Sequence, residues 1–577
     1  MTESQRDPAA PESATGTTAE RLAARGPIAV TARKATLAVM AGEPFDIIII
    51  GGGIAGAGIA REAALAGYRT ALVERNDFAC GTSSRSSRLV HGGVRYLEHG
   101  HVGLVFESSR ERRLLLQLAP HLVRPLAFTW PVYRGSRVPR WKVRAGLTMY
   151  DALSLFRNVQ RHEGLSADGV HGYEPALSSE NLRGGARYWD AATDDTRLTL
   201  STALSARDAG AHVANHLEVI GGIRSSAGRL IGVGVRDTID GHAFSIAGRI
   251  IVNATGPWSD ATAAVTGASE KAQLFGSAGT HVAVPRRRIG NRDAITLVSP
   301  FDGRVMFVLP AGPHAIIGTT ERPGSLNPDE IRATPQEVNY LLRNVNAFFP
   351  HAALTTDDVV SAWAGIRPLA AARAGESSAN AASREHAISH RDDGLVTVTG
   401  GKLTTFRAMA IDVLRHALAE GTRTGGVFKP HMPAQPSEST PIFGGDFSSR
   451  DQLLHDAVET VHDHAVGERL VLAYGSHWRN VWSYAQRDRS LGKRLVGDLP
   501  YLVAEVAHAV EREMAATLAD VLIRRTHIAF ETRDNGRGVA RRIAPLMAAL
   551  LEWSDDEQAR QLDAYEGEVS AMFKLEL

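Results

Sequence analysis

An α/β architecture that ends in a helical C-terminal domain is predicted by three features of this 577-residue chain. The β-branched run Asp46-Ile47-Ile48-Ile49-Ile50 passes directly into glycines, the pattern of a buried parallel strand entering a turn. Strand patterns such as Arg249 to Asn253 and Val305 to Gly318, mixed with short helices, predict a mainly β second domain. Amphipathic helical periodicity then dominates the C-terminal part, as in Tyr501 to Arg525. The length exceeds what one hydrophobic core usually supports, which agrees with several domains.

Taken in order, residues 1–44 carry no aromatic side chain, and Arg33 and Lys34 interrupt their only apolar stretch. They read as a flexible N-terminal extension and not as a cleaved signal peptide. From Phe45 the first strand begins, an alanine-rich helix runs to about Ala66, and Gly67 stops it. The apolar stretch Ala71 to Glu74 supplies the second strand of a strand-helix-strand unit, so the first domain is doubly wound and Rossmann-like. Residues 45–420 form one region with cofactor-binding and substrate-binding segments interleaved. Residues 421–446, with Pro430, Pro433, Pro436 and Pro441 among glycines and serines, read as a linker, and 447–577 as the helical domain.

Lysine and arginine total 64 against 63 aspartates and glutamates, so no overall field favours nucleic acid, and any basic site must be local. The single cysteine, Cys80, excludes an intrachain disulfide and a cysteine-cluster metal site, reads as a packed residue, and fits a reducing, cytoplasmic compartment. No metal is expected. The longest tempting apolar run, Ile47 to Ala60, is glycine-rich and closed by Asp46 and Arg61, short of the ~18 residues that a membrane span needs.

Gly51-Gly52-Gly53-Ile54-Ala55-Gly56 supplies Gly-x-Gly-x-x-Gly between strand and helix. Gly51 permits the tight turn, Gly53 lets backbone approach a pyrophosphate, and Gly56 allows close helix-strand packing. The helix start at Ile54 offers amides to phosphates, and Glu74, roughly 20 residues on and followed by Arg75, is placed for the adenosine ribose hydroxyls. This motif predicts a dinucleotide without separating FAD from NAD.

The stretch Cys80-Gly81-Thr82-Ser83-Ser84-Arg85-Ser86-Ser87-Arg88-Leu89-Val90-His91-Gly92-Gly93-Val94-Arg95-Tyr96-Leu97-Glu98 is too polar and glycine-rich for a core. Together with Asn253-Ala254-Thr255-Gly256-Pro257-Trp258 and Gly400-Gly401-Lys402-Leu403-Thr404-Thr405, it resembles the FAD-dependent glycerol-3-phosphate dehydrogenase family, of the aerobic, quinone-linked type. The resemblance runs from about Phe45 to Ala419 and more weakly into the helical tail. It implies non-covalent FAD contacted by Thr82, Ser83, Ser84, Ser86 and the backbone around Leu89 and Gly93. Gly256, Gly401, Leu403 and Thr404 would meet the flavin from two further turns, the last at a helix N-terminus suited to stabilising negative charge.

A phosphate monoester needs converging cations, because a desolvated dianion is costly without charge-assisted hydrogen bonds. The resemblance assigns Arg95 and Tyr96, after the flavin loop, and Arg367, Arg384 and Lys402 to glycerol 3-phosphate, with Thr320, next to Thr319, at an active-site strand turn. The implied reaction removes the alcohol proton and transfers the C2 hydride to flavin N5, giving dihydroxyacetone phosphate. His91 is either the base or a flavin contact, and Lys402 with a lowered pKa is its rival.

Two departures stand out: Glu321 where the family often has Asp, and Ser277-Ala278-Gly279-Thr280-His281 where it often has Lys-Gly before the strand histidine. The missing lysine predicts weaker phosphate affinity or a shifted substrate preference. The implied acceptor is a membrane quinone, reached by peripheral docking on the inner face of the cell membrane. The stretch from Arg137 to Phe156, with Arg140, Lys142 and Arg144 beside Trp141, Val143, Leu147, Met149 and Leu153, is either that docking surface or a core-packed amphipathic helix. A homodimer stays open. The rivals are an oxidase releasing hydrogen peroxide, a flavin oxidase of an amino acid or hydroxy acid, and a flavin-binding interaction protein without turnover.

Overall fold

The structure is a computed structural model that describes residues 17–154, 159–267, 276–324, 327–368, 386–423 and 426–573. Isoleucines 47 to 50 are almost fully buried on both faces, which is possible because their strand lies inside a parallel sheet covered by helices. Strand Phe45–Ile50 pairs in parallel with Thr70–Val73 on one side and with Ala243–Asn253 on the other. The parallel set extends to His212–Ala214 at one end and Leu395–Gly400 at the other, with His386–His390 as an antiparallel edge.

Helices Ile54–Leu65, Asp195–Asp208 and Phe406–Arg423 share a core with this sheet. They approach closely where side chains are small: a Cβ on Gly58 would lie 2.8 Å from the Phe406 ring. This is the expected doubly wound domain.

A second sheet of ten strands is mostly antiparallel and runs, in spatial order, from Arg322–Gly324 through Gly276–Pro285, the hairpin His314–Gly318 and Val305–Ala311, Ala294–Val298, Arg124–Tyr133 and Leu182–Ala192 to Leu89–Val90. Strand Ser361–Pro368 pairs along Gly276–Pro285 in antiparallel register. From residue 450 to Phe573 helices dominate, and their core is continuous with one face of the second sheet: Trp363 lies against Phe530, their ring centroids 5.1 Å apart.

Two connecting segments differ from expectation. Residues 18–42, expected to belong to a flexible extension, fold as helices Thr18–Ala23 and Ile28–Gly42. Arg21 pairs with Asp488, Arg25 with Glu511, and Arg33 with Asp237, so this segment ties the C-terminal helices to the first domain. Arginines spaced along an alanine-rich segment gave no hint of those distant partners. Residues 426–449 are irregular, as a linker would be, yet they are bonded to the first domain. The His431 N–H donates to Gly67 O (2.7 Å), that of Gln435 to Leu65 O (2.7 Å) and that of Ile442 to Leu118 O (2.8 Å). Among the described residues no helix is long and apolar enough to cross a membrane.

Candidate functional site

The first strand ends at Gly51, whose φ of +108° is one that side-chain-bearing residues rarely adopt. A Cβ there would lie 2.8 Å from the Ala254 carbonyl oxygen, and one on Gly56 only 1.8 Å from the Gly51 oxygen, so both must be glycine. Gly56 does not border the cavity, in keeping with its packing role. Helix Ile54–Leu65 starts at Gly53 without a side-chain cap, and the Ile54 N–H donates to Ser83 Oγ (3.0 Å). Glu74 Oε2 accepts from the Gly52 N–H (2.6 Å) and Oε1 from the Asn76 N–H (2.8 Å), which locks the acid against the turn. Arg75 lies over the Trp258 ring, 5.4 Å from its centroid. Burial pushes the Cys80 thiol well up, so it is a packed thiol and not a reactive thiolate.

Gly51, Gly53, Ile54, Glu74 and Arg75 line one end of a continuous cavity of about 680 Å³. The loop after Cys80 forms its wall, held by its own hydroxyls. Thr82 Oγ1 donates to Ile366 O (2.6 Å), and Ser86 Oγ to Asp195 (2.6 Å). Thr82, Ser83, Ser86, Leu89 and Gly93 border the cavity. Ser84, expected to contact the cofactor, does not: the tight turn Thr82–Ser84 directs it inward beside helix Asp195–Asp208, where its hydroxyl donates to Gly81 O (3.3 Å). Gly256 borders the cavity from the turn after Asn253, and Gly401, Leu403 and Thr404 from the turn before helix Phe406–Arg423. A backbone-walled cleft with an uncapped helix start at one end and a second helix start at the other fits a flavin dinucleotide.

Arg367 and Lys402 bring two cations to the cavity wall. Arg367 donates to Thr319 Oγ1 (3.0 Å), and Gly279 leaves room for both, since a Cβ there would lie 2.5 Å from Thr319 Oγ1. Lys402 Nζ stands 3.8 Å from the centroid of the Tyr96 ring, and that ring stacks on His91 with centroids 6.4 Å apart. Thr404 Oγ1 bonds the His91 backbone, and the next N–H, of Gly92, donates to Asp190 Oδ1 (3.0 Å). Asp190 is in turn held by Arg112 and Tyr150. Thr320 borders the cavity, but its hydroxyl is engaged, donating to Glu337 (2.8 Å) and accepting the Thr280 N–H (2.9 Å). Arg95 belongs to the short helix Val94–His99, but its side chain lies outside the described residues, as does Arg384 altogether.

His281, noted in the sequence only as a landmark, also borders the cavity. Its ring lies 5.7 Å from Trp363, nearly parallel, and Nε2 bonds Ser87 Oγ (2.8 Å). Burial, with Arg367 and Arg88 nearby, holds its pKa down at about 3, so the ring stays neutral. The signal available in the sequence was strand parity: His281 and Gly279 share a face, opposite Trp363 and Gly365 in register.

The same parity turns the position of the missing lysine away from the cavity. Ala278 points to the other face, fully buried in an apolar cluster with Ile331, Ala364 and Ile366, and does not border the cavity. The cavity therefore loses no cation at this position. On the helix Arg140–Leu153, Val143 and Leu147 are buried in the core, whereas Trp141 (72% exposed) and Met149 (41%) face outward. The helix therefore packs on the core by one face and carries Trp141 and Met149 on the other. Phe156 lies outside the described residues.

Residues 46–407 match the family model described as FAD dependent oxidoreductase, and residues 436–558 match that of the C-terminal domain of alpha-glycerophosphate oxidase. The chain is 38% identical over 538 residues to glycerol-3-phosphate dehydrogenase 2 of Mycobacterium tuberculosis, covering 92% of this chain and 88% of that one. It is 32% identical over 525 residues to the aerobic glycerol-3-phosphate dehydrogenase of Staphylococcus haemolyticus, covering 89% and 92%. The crystal structure of glycerol-3-phosphate dehydrogenase from Bacillus halodurans, complexed with FAD, superposes with a TM-score of 0.77 at 29% identity, covering 94% of this chain and 98% of that one.

Proposed function

The chain belongs to the FAD-dependent glycerol-3-phosphate dehydrogenase family, and from that premise we propose that it oxidises sn-glycerol 3-phosphate to dihydroxyacetone phosphate and passes the electrons to a membrane quinone. One observation carries the substrate half of this reading: the cations Arg367 and Lys402 both border the cavity, Lys402 over the Tyr96 ring that stacks on His91. Bound FAD supplies, at N5, the two-electron acceptor for the C2 hydride.

Arg367 and Lys402 hold the phosphate dianion by charge-assisted hydrogen bonds, with Arg95 and Arg384 as further cations and Tyr96 and Thr320 as walls. His91 takes the hydroxyl proton, and Lys402 is its rival for that task. Neutral His281 keeps its Nε2 on Ser87 and adds no charge to the anion site. At the other end Glu74 takes the ribose hydroxyls and the start of helix Ile54–Leu65 takes the pyrophosphate. The same reading divides the chain into an oxidoreductase region, 45–420, and a helical region, 447–577, joined by 421–446.

The acceptor half rests on the cavity rim. Arg137 borders the cavity, and just past it helix Arg140–Leu153 presents Trp141 and Met149 among Arg140, Lys142 and Arg144. Basic and aromatic side chains beside an opening suit an anionic lipid surface on the inner face of the membrane. The match of residues 436–558 to an oxidase's C-terminal domain favours a second reading, with oxygen as acceptor and hydrogen peroxide as product.

Anaerobic addition of glycerol 3-phosphate, with glycerol as control, should bleach the flavin absorbance with the phosphate ester alone. No bleaching sinks the substrate assignment. Restoring colour with a soluble quinone or with oxygen, while measuring peroxide, then separates dehydrogenase from oxidase.

A further inference from the structure

The turn between Glu74 and Cys80 forms one end of the cavity: Glu74, Arg75, Asn76 and Cys80 all border it. Asp77, in its middle, points the opposite way and is fully buried. Its Oδ2 accepts from Arg524 Nε (2.9 Å) and from Arg525 (2.6 Å), and its Oδ1 from Arg525 (3.0 Å) and from Asn215 Nδ2 (2.8 Å). Both arginines come from the C-terminal helices, 447 and 448 positions further along the chain.

The arginines are themselves fixed. They end the segment Asp520–Arg525, whose wide π-helical turn sets Asp520, Arg524 and Arg525 around one spot. Arg524 also donates to Asp520 (2.7 Å) and Glu568 (2.5 Å), and Arg525 to Glu513 O (2.7 Å). Asp520 binds His216 Nε2 (2.8 Å), which follows the strand beside the turn.

Asp77, His216 and Asp520 bring potential metal-ligating atoms within 4.8 Å of one another. Two guanidinium groups already neutralise the Asp77 carboxylate, and a divalent cation would add charge of the same sign at close range. The cluster is an ion-paired lock.

We propose that the C-terminal helices clamp the adenosine end of the cavity through this lock, and that Asp77, Arg524 and Arg525 are positioning residues for FAD. The carboxylate is gripped by Arg525 in two-pronged geometry and by Arg524 from the side, which fixes the turn that carries Glu74. This rests on the reading of Glu74 as the ribose ligand. The helical region then serves cofactor retention, besides covering the second sheet.

The test uses the full-length protein stripped of FAD, at a temperature where circular dichroism shows every variant folded, with FAD added back and its affinity read from flavin fluorescence. Asp77→Asn and Arg525→Met should each raise the FAD dissociation constant about tenfold or more, with Arg525→Lys in between because it keeps charge but not the fork. Glu511→Gln breaks the pair of the helical region with Arg25, which touches none of Asp77, Arg524 and Arg525, and should stay within about twofold of the parent. At saturating FAD, the KM of Asp77→Asn for glycerol 3-phosphate should also stay within about twofold.

Parental FAD affinity in Asp77→Asn overturns the clamp, as does an equal loss in Glu511→Gln, which would make the effect one of general stability. Glu74→Ala separates the two readings: if it leaves FAD affinity intact, the ribose assignment has failed, whereas weakening by Glu74→Ala but not by Asp77→Asn removes the clamp alone. Should Asp77→Asn not fold, Glu568→Gln removes only the outer, half-exposed partner of Arg524. It should weaken FAD about threefold, and parental affinity there also overturns the proposal.

Discussion

The Thr404 hydroxyl spans the His91 peptide, accepting from its N–H at 3.1 Å and donating to its carbonyl at 3.2 Å. One side chain from the turn that carries Lys402 thereby fixes the backbone of the candidate base. Thr404→Val keeps the shape and removes both bonds, at about 1 kcal/mol each. We expect kcat/KM to fall about tenfold or more, with Thr404→Ser restoring most of it; parental kinetics in Thr404→Val would show that the loop is held by other contacts.

Arg367 and Lys402 should behave as phosphate ligands. Arg367→Met is expected to raise KM for glycerol 3-phosphate about 100-fold, the scale of a charge-assisted hydrogen bond, while leaving the weak turnover of glycerol nearly unchanged. Arg367→Lys should recover little, because the lysine head cannot reach Thr319 and the anion together. Equal losses on both substrates would place Arg367 outside phosphate recognition.

His281 predicts how stability responds to acid. The folded protein keeps it neutral down to about pH 3, against an ordinary value of 6.5. Between those values the unfolded chain binds the extra proton, so this residue's contribution to stability is lost as the pH falls, by up to about 1.4 kcal/mol per pH unit. Melting temperatures of His281→Gln should therefore decline less steeply than the parent's from pH 6.5 downward. A parental slope in the variant would mean that the ring is already charged in the folded state.

Restoring the lysine often found in the family should harm this chain. Ala278→Lys would drive an ammonium group into the cluster of Ile331, Ala364 and Ile366, at a cost of several kcal/mol. The expected result is a markedly lower melting temperature without tighter glycerol 3-phosphate binding. Tighter binding with parental stability would sink the assignment of Ala278 to the far face of the strand.

The outward face of helix Arg140–Leu153 is expected to govern lipid attachment and not chemistry. Trp141→Asp combined with Lys142→Glu should abolish sedimentation with phosphatidylglycerol vesicles while preserving activity with a soluble acceptor. Unchanged sedimentation would move the docking surface elsewhere.

Much of the cofactor end was legible because it is local. The strand, the glycine turn, the helix and Glu74 lie within one short stretch, and each residue's task follows from backbone geometry that glycine alone permits. The loop serines were less legible. A hydroxyl suited to a phosphate is equally suited to a nearby carbonyl or carboxylate, and Ser84 and Ser86 found Gly81 and Asp195. The helices of residues 18–42 were missed because their amphipathic signal is weak and the partners of Leu22, Met40 and their arginines lie far along the chain.

By itself the sequence determined the first strand-helix-strand unit, the dinucleotide turn and the family of the chemistry, since contiguous motifs encode local backbone shape and its hydrogen-bonding groups. Only the tertiary structure decided which side chains face the cavity. His281 enters it and Ala278 leaves it by strand parity and pairing register, and Asp77 meets Arg524 and Arg525 across more than 400 positions of chain. Such pairings are set by how sheets and helices stack, and a buried charge finds its partner in that packing rather than among its neighbours in sequence.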